Sequence, residues 1–145
     1  MGPITYRNDG GPVSAELSIG NAQTGSYVLK LWEAKVNRIV HQESGNFLDQ
    51  PTPGYQFPEP NSANDGRRFQ AIITIAILPP INEYSAVVKI LQDGKELGQI
   101  PYSGKTEKES VTLNLHTTLQ MAPAAVNTTE SQPVADDTVS GGGTT

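Results

Sequence analysis

The segment from Arg67 to Pro80, RRFQAIITIAILPP, is the most apolar part of the chain and restricts the fold more than any other segment. A β-strand with one face in water alternates apolar and polar residues. Here one face takes Phe69, Ala71, Ile73, Ile75 and Ile77, and the other takes Ile72, Ala76 and Leu78. We therefore expect a loop of the chain or another molecule to cover the second face.

Period-two alternation of apolar and polar residues recurs along most of the chain and predicts an all-β protein with little helix. The predicted strands span 13–19, 26–33, 36–41, 69–78, 110–119 and both arms of a hairpin within 84–102. About seven strands at this spacing predict an antiparallel β-sandwich, either an immunoglobulin-like Greek key or a jelly roll.

The hairpin within 84–102 turns at Asp93 and Gly94, because Asp-Gly readily supplies the two positive φ angles of a type I′ turn. A two-residue turn sets the strand register. It predicts that Ile90 lies opposite Leu97 and Leu91 opposite Glu96.

The chain divides into a predicted domain, 1–121, and a C-terminal tail, 122–145. The tail is poor in large apolar residues, which is typical of a segment that is flexible or ordered only by a partner. Inside the domain, 42–68 reads as a long Pro/Gly-rich loop. This loop contains Phe47, Leu48, Tyr55 and Phe57, so we expect it to be packed.

Composition excludes several classes of function. A net charge of -5 gives no basic footprint for nucleic acid, so we expect no nucleic-acid partner. The chain has no cysteine, which excludes disulfides and thiolate chemistry. No apolar run reaches the roughly 18 to 20 residues of a membrane span, and no cofactor is indicated.

Catalytic and metal signals are weak, and we expect neither an enzyme nor a metal site. His116 falls among outward polar positions, and both His41 and His116 fit surface histidines. No G-x-S-x-G elbow is present. The carboxylates that loops of a sandwich could bring to calcium are better explained as turn residues; they are Asp9, Asp49, Asp65 and Asp93.

The second apolar face suggests a binding or assembly role. We expect the outer face of strand 69–78 to continue onto strand 84–92 as one patch, buried against a second copy of the chain or another protein. The predicted interface residues are Ile72, Thr74, Ala76, Leu78, Val87 and Leu91. The leading hypothesis is a non-enzymatic β-sandwich module for protein interaction or self-assembly.

The alternative is a carbohydrate-binding module or lectin. If Tyr27, Leu29 and Leu31 face the core, Trp32 faces outward, and its flat ring can stack on a sugar. Tyr55 and Phe57 are its predicted companions. This hypothesis requires at least two of the three aromatic rings to share one surface or pocket.

Overall fold

The computed structural model describes residues 2–123, so the predicted tail lies outside the described residues except for its first two positions. These residues form two packed β-sheets and one short 3-10 turn, Asn61–Asn64. No helix among them is long or apolar enough to cross a membrane. The strands are β1 (Ile4–Tyr6), β2 (Val13–Gly20), β3 (Thr24–Trp32), β4 (Ile39–Asn46), β5 (Gly54–Gln56), β6 (Arg68–Ala76), β7 (Glu83–Gln92), β8 (Lys95–Lys105) and β9 (Ser110–Met121).

The predicted β-sandwich is confirmed. One sheet has five strands in the order β1-β9-β6-β3-β4, and the other has four in the order β5-β2-β7-β8. Every pairing is antiparallel except β1 with β9. In an immunoglobulin sandwich the neighbouring strands F and G are also consecutive in sequence. Here the neighbouring strands β6 and β9 are separated in sequence by the β7–β8 hairpin, which belongs to the opposite sheet. The connectivity therefore differs from that of the immunoglobulin sandwich.

The predicted boundaries are wrong around the third and fourth strands. The strand expected at 36–41 is β4, which starts at Ile39 because the preceding loop is closed by a hydrogen bond from the Glu33 N–H to the Arg38 carbonyl (2.8 Å). The first residues of the expected 42–68 loop therefore belong to β4. The three-residue strands β1 and β5 escaped prediction because alternation over only three residues is too short to indicate a strand.

The core lies between the sheets, and β6 is its centre. Its inward residues Phe69, Ala71, Ile73 and Ile75 are fully buried. The chain between β4 and β6 contributes to this core as well. The Phe57 ring lies 5.0 Å from Phe69 and 5.1 Å from Tyr55, measured between ring centroids.

The predicted turn at Asp93 and Gly94 is confirmed, with φ angles of 54° and 75°. Leu91 lies opposite Glu96 as expected. The other predicted pair is wrong, because a β-bulge shifts the register and sets Ile90 opposite Gly98.

Two buried amides fasten the N-terminal segment to the rest of the sandwich. Gln92 accepts a hydrogen bond from the Arg7 N–H (2.9 Å) and donates to the Arg7 carbonyl (2.6 Å). Asn61 donates from Nδ2 to the carbonyls of Gly10 (3.1 Å) and Gly11 (3.0 Å). These bonds satisfy backbone groups of a turn that belongs to neither sheet.

Replacement of Phe57 tests the contribution of the chain between β4 and β6. Because Phe57 is 1 % exposed, Phe57→Ala leaves a cavity in the core and should lower the free energy of unfolding by about 3–5 kcal/mol. Urea denaturation measures this loss. The control Leu48→Ala, at a residue 76 % exposed, should change the value by less than about 0.5 kcal/mol. Equal losses in the two variants would contradict the packing described.

Candidate binding face of the five-stranded sheet

The outer face of the five-stranded sheet is built from the side chains of β3, β6 and β9 that point away from the core. Strand register aligns these side chains in rows across the sheet. The rows are Trp32–Arg68–Thr118, Lys30–Gln70–His116, Val28–Ile72–Asn114 and Ser26–Thr74–Thr112.

This outer face carries positive charge in a chain whose net charge is -5. Its outward strand positions include Lys30 and Arg68, and none of those on β3, β4, β6 and β9 is Asp or Glu. The nearest carboxylate on β4, Glu43, points to the inner side, since it lies opposite the buried Leu29. The outward side chains of these strands therefore carry net positive charge.

Trp32 lies half-buried on this face with its ring held in one orientation. Its Nε1–H donates to Oε1 of Gln70 (2.8 Å), and Nε2 of Gln70 donates to Oδ1 of Asn114 (3.0 Å). Because the indole nitrogen can only donate, it also fixes which end of the Gln70 amide is oxygen. These two hydrogen bonds link the Trp32 indole on β3, through Gln70 on β6, to Asn114 on β9.

Two cationic groups lie close to the Trp32 ring. The Arg68 guanidinium carbon lies 5.6 Å from the ring centroid and the Lys30 Nζ lies 6.0 Å from it, both within cation–π range. Nη2 of Arg68 also donates to the carbonyl of Val36 (2.9 Å). Its Nε and Nη1 make no hydrogen bond to any described residue, so these N–H groups face solvent or a ligand.

A groove of about 670 Å³ opens beside the Trp32 ring, within the size range of small-ligand sites. The loop between β3 and β4 supplies one wall and the outer face supplies the floor. The residues that line it are Trp32, Asn37, Arg68, Gln70 and His116.

An ion-pair cluster holds the loop that forms this wall. Arg67 donates to both carboxylate oxygens of Glu33 (3.0 and 3.3 Å), and Arg38 donates to the second (3.1 Å). The hydrogen bond from Arg67, followed by the N–H of Ala34, lowers the pKa of Glu33 from its ordinary value. The carboxylate next to the groove is thus ionised and neutralised by arginine.

The predicted aromatic trio does not form. Trp32 lies on the outer face, but Tyr55 and Phe57 are 4 % and 1 % exposed and belong to the core. The reason is the pairing of β5 with β2, which sets Tyr55 opposite the inward Ala15. There the Tyr55 hydroxyl lies 3.0 Å from Nδ1 of His41, and burial, with a smaller effect of Glu43, raises the Tyr55 pKa to about 12.

The predicted continuous interface is also wrong. Ile72, Thr74 and Ala76 lie on the outer face of the five-stranded sheet, whereas Val87 and Leu91 lie on the outer side of the four-stranded sheet. The two sets face opposite sides of the sandwich, because the connection between β6 and β7, which carries the exposed Leu78, crosses from one sheet to the other. They cannot form one patch.

The aromatic residues of the 42–68 segment do not cover the second face of β6. Ile72 is half-buried between its cross-strand neighbours Val28 and Asn114. Thr74 is bridged to Thr112 by their hydroxyls (3.2 Å). Side chains of adjacent strands therefore cover much of this face, and the aromatic residues of 42–68 pack in the core instead.

His116 points outward as predicted, and the lining of its groove includes no carboxylate. No group of three or more His, Asp or Glu within 2–123 is placed to hold a metal ion. Two of the predicted turn carboxylates accept backbone hydrogen bonds, Asp93 from Gly11 (3.0 Å) and Asp65 from Met121 (2.9 Å).

Sequence reasoning missed Asn37, Arg68, Gln70 and His116 as partners of Trp32 in one groove. Alternation alone predicts that Gln70 and His116 point outward. Their juxtaposition depends on β6 lying between β3 and β9, which are far apart in sequence.

Comparison with known proteins found no matching family model, no similar curated protein and no similar solved structure.

The Glu33 cluster makes a pH-dependent contribution to stability. Because the folded-state pKa is lowered, the contribution is fully present well above the ordinary value of 4.5 and is lost as pH falls through the lowered pKa. Glu33→Gln should therefore destabilise the protein at pH 7, and the difference from wild type should shrink progressively below about pH 4.5. Urea denaturation at a series of pH values measures the difference. The role would be contradicted if the difference in free energy of unfolding between wild type and Glu33→Gln stayed constant with pH. It would also be contradicted if the control Glu16→Gln showed the same pH-dependent difference.

Proposed function

We propose that this protein is a non-enzymatic binding module whose groove beside Trp32 holds a saccharide that carries acidic groups. The observation that carries the proposal is a groove lined by a fixed, half-buried indole and by Arg68, with no carboxylate in its lining and with Lys30 near the same indole.

The Trp32 indole alone supplies the apolar platform, because Tyr55 and Phe57 lie in the core and the two-ring site expected from the sequence does not form. In this proposal the neighbouring cations, and not a second ring, add the further contacts. Aromatic rings pack against the C–H face of a sugar ring, and the hydrogen bond to Gln70 orients the Trp32 ring before a ligand arrives. Pre-orientation reduces the entropy cost of binding. Asn37 and His116 at the groove margins offer both donors and acceptors to sugar hydroxyls.

The charges favour an acidic sugar over a neutral one. The Nε–H and Nη1–H groups of Arg68 make no hydrogen bond within residues 2–123, and each can donate to an oxygen of a carboxylate or sulfate group. Lys30 adds a second positive charge at the same ring. Nucleic acid is a poorer fit, because tracking a phosphate backbone takes a larger basic surface than these two side chains provide.

A glycan array followed by titration calorimetry tests this proposal. We expect binding to uronic-acid or sulfated oligosaccharides, weakened at least about tenfold by Trp32→Ala because the stacking platform is lost. Arg68→Lys should weaken binding of acidic oligosaccharides more than that of neutral ones, because Lys retains the charge but lacks the separate Nε–H and Nη1–H donors.

Tyr102→Ala is the matched control, since Tyr102 is an exposed aromatic residue (48 %) on β8, in the other sheet. The affinity of the Tyr102→Ala variant for acidic oligosaccharides should equal that of wild type. Absence of binding to every acidic oligosaccharide, or binding that survives Trp32→Ala unchanged, would refute the proposal.

A further inference from the structure

Strand β9 has a long unpaired edge. It spans twelve residues, but β1 pairs only with Leu119–Met121. The chain preceding β1 reaches as far as Thr117, whose hydroxyl donates to the Gly2 carbonyl (3.4 Å). From Ser110 to His116 the outer edge of β9 has no strand partner among the described residues.

The backbone groups on this edge can be assigned. The Glu109 carbonyl accepts from the Ile77 N–H (2.9 Å), and the Leu119 N–H donates to the Arg67 carbonyl (2.8 Å), so the odd residues of β9 bond toward β6. Backbone groups alternate along a strand. The N–H and C=O groups that point to the open edge therefore belong to Ser110, Thr112, Asn114 and His116.

The other edges of the sandwich are protected against pairing with another chain, and this one is not. Charges, prolines and short strands are the usual protections. β8 carries Pro101 and three charged residues, β4 carries Glu43, and β1 and β5 have only three residues each. Ser110 to His116, SVTLNLH, has no Pro, Lys, Arg, Asp or Glu.

We propose that the open edge of β9 pairs with the same edge of a second copy of this chain. An antiparallel pairing about a two-fold axis at Leu113 uses the whole open span in both copies. It sets Thr112 opposite Asn114 of the second copy and Ser110 opposite its His116. All four edge-directed residues then occupy hydrogen-bonded pairs, and the contact closes on itself as a dimer.

The charge distribution favours a second copy at this position. Two chains of net charge -5 repel each other, and the repulsion is smallest where the surfaces that meet carry no carboxylates. The open edge from Ser110 to His116 carries no Asp or Glu, and neither do the outward strand positions of the sheet beside it. Edge pairing buries less than the roughly 800 Å² per partner of a standard interface, so the dimer should be weak and dependent on concentration.

The dimer would join two five-stranded sheets into one ten-stranded sheet. A two-fold axis perpendicular to the sheet leaves both Trp32 grooves on the same side, roughly 40 Å apart by strand spacing and rise. If the groove binds saccharide as proposed, the pair would hold one polymer at two points and gain affinity by avidity. The pairing itself does not depend on that function.

Sedimentation equilibrium of the full chain from about 10 µM to about 1 mM tests the pairing. Wild type should shift from monomer to dimer mass across this range. Thr112→Pro removes an edge-directed N–H while leaving the ladder to β6 intact, and should stay monomeric. Thr112→Val is the matched control: it keeps the N–H, removes only the hydroxyl, and should dimerise like wild type. A monomeric wild type at all concentrations, assemblies larger than a dimer, or dimerisation by Thr112→Pro would overturn the proposal.

A cross-link tests the register without relying on a proline variant. The chain has no cysteine, so the double variant T112C/N114C introduces the only thiols. Opposite residues of an antiparallel pair lie within disulfide range, so mild oxidation should give a covalent dimer. The control Q42C/S44C carries the same pair on the outer face of β4 and should cross-link at least about tenfold more slowly. Equal rates for the two variants would overturn the proposed pairing.

Discussion

The fold depends on the burial of one strand, β6. Its inward side chains fill the centre of the core, and both of its edges are paired, with β3 on one side and β9 on the other. Full pairing satisfies backbone groups that would otherwise be buried without partners, and burial of Phe69, Ile73 and Ile75 supplies apolar contact to both sheets. Because β6 is central, the residues on its outer side are held in fixed rows against those of its neighbours.

These rows create the candidate site. Arg68 and Gln70 stand between Trp32 on β3 and His116 on β9 only because the three strands are adjacent. The hydrogen bond from Trp32 to Gln70 then fixes the ring, and Arg68 fastens the neighbouring loop through the Val36 carbonyl. A site on a rigid sheet holds its geometry better than one on free loops.

Charge is distributed unevenly over the two sheets. The outer side of the four-stranded sheet mixes signs, with Glu16 opposite Lys89, whereas the outward strand positions of the five-stranded sheet carry cations without carboxylates. The Glu33 carboxylate near the groove is neutralised by arginine. The proposed recognition of an acidic ligand and the proposed pairing at β9 depend on the same surface, since both require a region where negative charge is low.

Alternation and turn chemistry are local properties, so the amino-acid sequence was sufficient to predict the sandwich, its longer alternating strands, the Asp93–Gly94 turn and the outward direction of His116. Tertiary structure decided which strands are neighbours. It separated Ile72 from Val87 by placing β6 and β7 in different sheets, and it moved Tyr55 and Phe57 from an expected surface into the core by pairing β5 with β2. Local pattern tells which way a side chain points relative to its own strand, but the partner across the ladder depends on packing of the whole chain.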